Sequence, residues 1–89
     1  MQEEIRTFVL AVIRDIINLP VPEDADEATP LGPEGLELES LAMIELLLQL
    51  EGEYGIELPE EDVDPERVQT LGQLVQVVAD RRGAVGAGR

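Results

Sequence analysis

Gly35-Leu36-Glu37-Leu38-Glu39-Ser40-Leu41-Ala42-Met43-Ile44-Glu45-Leu46-Leu47-Leu48-Gln49-Leu50-Glu51 decides how the rest of the chain is read. A polar loop ends in this stretch and the most apolar helix of the sequence begins. Ser40, the sole serine, stands at the join. Serine is a favoured N-cap because its oxygen accepts the orphaned N–H groups of a first helical turn. A hydroxyl there also faces the positive end of the helix dipole, where a phosphate is stabilised. A plain cap and an attachment point for a phosphate group are both open on these residues.

The helix after this join is predicted over about Ser40 to Glu53, with Gly55 suited to a left-handed C-cap. At the helical angle Ala42, Glu45, Gln49 and Glu53 share one narrow stripe. Met43, Leu46, Leu47, Leu50 and Tyr54 lie opposite and form the natural core face. Leu41, Ile44 and Leu48 fall between the two, so the apolar arc is wider than one core contact requires. Either neighbours enclose the helix almost completely, or part of the arc is an apolar patch that receives other proteins.

Working outward, Ile5, Phe8, Val9, Val12, Ile13 and Ile16 recur at helical spacing and predict a first helix over Glu3 to Asn18. Glu3 and Glu4 suit its positive end, and Pro20 cannot continue it. Pro20 to Leu38 is a long loop, either functional or interrupted by a short turn around Glu23 and Asp24. Asp24 and Asp26 resemble the start of a calcium loop. Thr29 and Gly35 stand where such a loop needs Gly and Glu, so calcium is not expected there. After Ile56 and Leu58, Pro59-Glu60-Glu61-Asp62 reads as the start of a short helix, with Val63 and Val68 inward. Thr70 and Gln73 form a capping-box pattern for the last helix, whose inner face is Leu71, Leu74, Val75, Val78 and Ala79. Gly83 is expected to stop it, leaving 83–89 as a disordered tail behind a domain of 1–82.

Composition excludes most chemistry. The 89 residues make one small domain with a formal charge of −14 at neutral pH. All six cations are Arg, against twenty carboxylates. Nucleic acid and anionic membranes would repel such a chain, whereas basic protein surfaces would attract it. The absence of His removes the commonest general base and metal ligand, and any Ser-His-Asp triad. The absence of Cys removes disulfides and a protein thiol. Phe8 and Tyr54 are the only aromatics, too few for a paired-carboxylate site that stacks sugars. An acidic start and the lack of any long apolar run point to the cytoplasm.

Glu39-Ser40-Leu41, with Glu45, Glu51 and Glu53 further along, resembles the prosthetic-group site of acyl carrier proteins. The family pattern is an acidic residue, most often Asp, then the modified Ser, then Leu opening an acidic helix. Glu39 keeps the charge and lengthens the reach. The resemblance extends over about Glu3 to Arg82. It implies an all-α, small antiparallel bundle of three main helices plus one short helix, with Leu31, Leu36 and Leu38 pinning the Pro20–Leu38 loop to the core. It implies 4′-phosphopantetheine joined to Ser40 and acyl groups held on it as thioesters, in fatty-acid, polyketide or lipopeptide biosynthesis. The carrier itself would not be an enzyme. Its partners would be a phosphopantetheinyl transferase and acyl-loading and acyl-transfer enzymes with basic surfaces, met by a monomer through Glu39, Leu41, Ile44, Glu45 and Leu48. A peptidyl or aminoacyl carrier is the alternative within the family. Outside it, the alternative is an acidic helical interaction domain that is never modified.

Overall fold

The computed structural model describes residues 2–32, 34–38, 40–64 and 66–87. Three α-helices carry it: α1 (Gln2–Val12), α2 (Ser40–Tyr54) and α3 (Leu71–Ala87), with a short 3₁₀ helix over Glu60–Val63. No strand occurs among the described residues; a single bridge pairs Pro30 with Thr70. The architecture is the predicted helical bundle. Its core is drawn from every element: Ile5, Val9 and Ile13 from the first, Leu46 and Leu50 from α2, Leu71, Leu74 and Val78 from α3. No charged or polar side chain is buried among the described residues.

The first helix departs from its predicted course. It is α-helical only to Val12 and widens into a π-helical turn over Ile13–Ile17. Asn18, at φ +65°, ends it, and the N–H groups of Asn18 and Leu19 both reach the Ile13 carbonyl. A π turn holds more residues per turn than an α turn, so it rotates the residues after it off the original face. Ile13 therefore stays buried, while Ile16, expected inside, is 48% exposed.

The Pro20–Leu38 connection is a chain of turns. The Ala25 N–H bonds the Pro22 carbonyl, as the expected turn at Glu23 and Asp24 requires. Asp26 and Thr29 close the next turn: the Asp26 N–H donates to Thr29 Oγ1 and the Ala28 N–H to Asp26 Oδ1. The loop then docks on the start of α3. The Leu71 and Gly72 N–H groups donate to the Thr29 and Glu27 carbonyls, and the Leu31 N–H to the Gln69 carbonyl. Donors left over at the helix start are thus met by loop backbone. Leu31, Leu36 and Leu38 are buried beneath it, as expected.

Gly55, at φ +63°, caps α2 as predicted, its N–H on the Glu51 carbonyl at 2.9 Å. The Glu51 carboxylate lies at the negative end of α2 and accepts the Leu58 N–H at 2.8 Å, tying down the Ile56–Pro59 link. The capping box is present: the Thr70 N–H donates to Gln73 Oε1 and the Gln73 N–H to Thr70 Oγ1. The helix end expected at Gly83 is corrected, because α3 continues through it to Ala87. A glycine ends a helix only where the chain uses its left-handed freedom; within a helix it costs about 1 kcal/mol relative to Ala.

At the far end of the bundle, Phe8 and Tyr54 meet edge to face with ring centroids 5.7 Å apart. The Arg82 guanidinium lies 5.0 Å above the Tyr54 ring and 4.0 Å from the Glu4 carboxylate, joining all three helices. Burial, then the nearby Glu4 charge, raise the Tyr54 pKa above its ordinary 10.0.

Candidate functional site

The chain is led to Ser40 by a tightly folded segment. The Leu36 N–H bonds the Pro30 carbonyl, the Leu38 N–H bonds the Leu31 carbonyl, and both leucines are buried. Between them Glu37 takes a left-handed conformation, φ +58°, with its N–H on the Gly32 carbonyl. A Cβ at Gly35 would fall on the Pro30 carbonyl oxygen, so this crossing admits no side chain. The start of α2 is therefore positioned by backbone bonds and two buried leucines rather than by a free loop. Ser40 is the first residue of the helix itself, not the N-cap residue before it that the sequence suggests. Glu39 lies outside the described residues.

Leu41, Ile44 and Leu48 share a helix face, and all are open to solvent, at 83%, 45% and 57%. The wide apolar arc is thus not enclosed by neighbouring helices. Leu46, Leu47 and Leu50 are buried on the opposite side, as the spacing predicts. Glu45 is half-buried, and its carboxylate accepts a hydrogen bond from Gln49 Nε2 at 3.0 Å. The structure brings Ser40, Leu41, Ile44, Glu45 and Leu48 onto one helix over two turns.

A cavity of about 730 Å³ opens beside the start of α2, and the spacing of residues does not reveal it. Leu38, Met43, Ile44 and Leu47 form one side; Leu31 and Gly32 of the loop, and Val63, Asp64, Val68 and Thr70, complete it. Met43 and Leu47, expected in the core, both line this space, and Met43 is only half-buried. Nothing in the local pattern of α2 signals a cavity, because its walls come from segments far apart in sequence.

These features suit a serine-linked phosphate group with an apolar continuation. The first N–H groups of α2 have no acceptor within the helix, and no acidic residue stands in its first turn. Phosphate oxygens are stabilised in such a place. The neighbouring cavity is lined mainly by apolar side chains.

Comparison with known proteins agrees with this geometry. The family model described as a phosphopantetheine attachment site matches residues 7–78. An acyl carrier protein of Rubrobacter xylanophilus is 32% identical over 81 residues, covering 89% of this chain and 98% of that protein. One from Lactobacillus acidophilus is 29% identical, covering 92% of this chain and 98% of that protein. A meromycolate extension acyl carrier protein of Mycobacterium leprae is 29% identical, covering 86% of this chain and 64% of that protein. The group implied is covalently attached 4′-phosphopantetheine. A match to the attachment domain over most of the chain, and likeness to carriers of nearly the same length, lead to one conclusion: the chain belongs to the acyl carrier protein family.

Proposed function

We propose that this protein carries acyl groups on 4′-phosphopantetheine joined to Ser40 by a phosphodiester. The observation that carries the reading is that the sole serine is the first residue of α2, inside the matched attachment domain and beside the cavity. At a phosphopantetheinyl transferase the Ser40 hydroxyl would lose its proton and attack the pyrophosphate of coenzyme A, breaking the P–O–P bond and releasing adenosine 3′,5′-bisphosphate, with Mg²⁺ held at the transferase. The group's terminal thiol would supply what the chain lacks, a sulfur on which acyl groups are held as thioesters. The start of α2 would stabilise the phosphodiester charge. Met43, Leu47 and Val63 would shelter the first part of an apolar acyl chain from water.

The carrier catalyses nothing in this reading; it tethers the acyl group and so raises its effective concentration for each enzyme that docks. Docking uses Leu41, Ile44 and Leu48 for contact and Glu39 and Glu45 for charge. The net charge of −14 speeds encounter with basic enzyme surfaces. The pathway is one of fatty-acid, polyketide or lipopeptide biosynthesis. We infer a monomer working in the cytoplasm; no helix among the described residues is long and apolar enough to cross a membrane.

Intact mass after incubation with coenzyme A, Mg²⁺ and a broad-specificity transferase tests the assignment. One phosphopantetheine should be added, peptide mapping should find it on Ser40, and Ser40→Ala should accept none. Modification of Thr29 or Thr70, or no gain of mass with several transferases, would refute it. Glu45→Arg tests the docking face: association with a basic transferase should slow and lose part of its salt dependence while the melting curve stays close to wild type.

A further inference from the structure

One wall of the cavity beside α2 is held differently from the rest. Its α2 side is a regular helix with Leu47 buried, and its loop side is fixed by the Leu31 and Leu38 backbone bonds. Opposite them stand Val63 and Asp64, at the end of the 3₁₀ helix. Backbone bonds there stay local: the Asp62 N–H goes to the Pro59 carbonyl at 2.9 Å and the Val68 N–H to the Asp64 carbonyl at 2.8 Å. Among the described residues, no hydrogen bond joins Asp62, Val63 or Asp64 to α2 or to the 20–38 loop. Val63 contributes apolar packing, and the Asp62 carboxylate forms an ion pair with the Arg81 guanidinium of α3.

We infer that the Asp62–Arg81 ion pair positions this wall and thereby sets how readily the cavity admits an extended apolar chain. Asp62 is the residue next to Val63, and Arg81 projects from a helix whose own bonds do not depend on the pair. The wall is thus fastened from behind, through a contact that is itself outside the cavity. The Arg81 side chain is 43% exposed and the Asp62 side chain 25%; the paired Asp62 Oδ2 is itself shielded, so water weakens the pair from the Arg81 side. A tie of that kind changes the population of an outward-shifted wall by up to about fivefold. A buried backbone tie would hold the wall rigid; the absence of any tie would leave Val63 alone to hold it. Asp62 and Arg81 are positioning residues here, since neither lines the cavity. The role rests on the proposed use of the cavity, but the wall's behaviour is measured on the unmodified chain.

Amide hydrogen exchange and the binding of Nile red, an uncharged apolar dye, test the inference on the full apo chain. Arg81→Gln and, separately, Asp62→Asn should speed exchange at the Asp62 and Val68 amides by up to about fivefold. Leu46 in α2 and Leu74 in α3 should keep their wild-type rates. Both variants should bind the dye more tightly by a similar factor. The exchanged pair, Asp62→Arg with Arg81→Asp, should restore both readouts towards wild type. Unchanged exchange at the wall would overturn the inference. So would acceleration spread evenly over the helices, which marks a general stabiliser, or faster wall exchange with unaltered dye binding. Failure of Ser40 to accept phosphopantetheine would refute the carrier reading and leave these readouts standing.

Discussion

Alanine at Leu48 and alanine at Leu46 remove the same atoms from neighbouring positions of α2 and should have opposite consequences. Leu46 is fully buried, whereas Leu48 is 57% exposed. Truncating a buried Leu costs about 2–5 kcal/mol, from lost transfer energy and the cavity left behind. Complete burial of a Leu side chain is worth about 1.5–3 kcal/mol, so Leu48, less than half buried, should lose about 1 kcal/mol or less. For a domain of this size each kcal/mol moves the melting temperature by about 4–8 °C. By that conversion Leu46→Ala should melt at least about 8 °C below wild type, and Leu48→Ala within about 8 °C of it. Transferase kinetics supply the second readout. Leu48→Ala should raise KM for the carrier several-fold, while the folded fraction of Leu46→Ala should load at close to the wild-type rate. If Leu48→Ala melts as low as Leu46→Ala and loads normally, the exposed arc does not receive partners.

Three other perturbations probe the fold. Because twenty carboxylates face only six cations and none of the described ones is buried, self-repulsion should fall with added salt, so the melting temperature should rise from low to moderate ionic strength; a flat response would show the repulsion to be negligible. Gly35→Ala should cost more than about 1 kcal/mol, seen as a lower denaturation midpoint, because the new methyl meets the Pro30 carbonyl oxygen; an unchanged midpoint would refute the close crossing. The Tyr54 phenol, its pKa raised by burial and by Glu4, favours the folded state while neutral. That contribution is complete below the ordinary value of 10.0 and is lost as pH rises through the folded-state pKa. Stability should thus fall more steeply above about pH 10 in wild type than in Tyr54→Phe, by denaturation at stepped alkaline pH.

Much of this protein is legible in its residues because the signals are local. Helical spacing places α2 and its buried leucines; Gly55 and the Thr70–Gln73 pair mark helix ends by bonds made within a few residues. The Glu39-Ser40-Leu41 resemblance leads to the family, and composition alone removes His- and Cys-based chemistry. The features that stay hidden depend on how distant segments meet. No residue in Ile13–Ile17 forbids an α-helix, so the π turn that carries Ile16 outward leaves no local signal. The exposure of Leu41, Ile44 and Leu48 is undecided in the sequence, since periodicity tells which residues share a face and not which face lacks a neighbour. The cavity is the clearest case. Its walls come from the 30–38 loop, α2 and the 63–70 segment, so it exists only once the loop has docked on α3 through backbone bonds, one of them from Gly72, where a Cβ would press on Glu27.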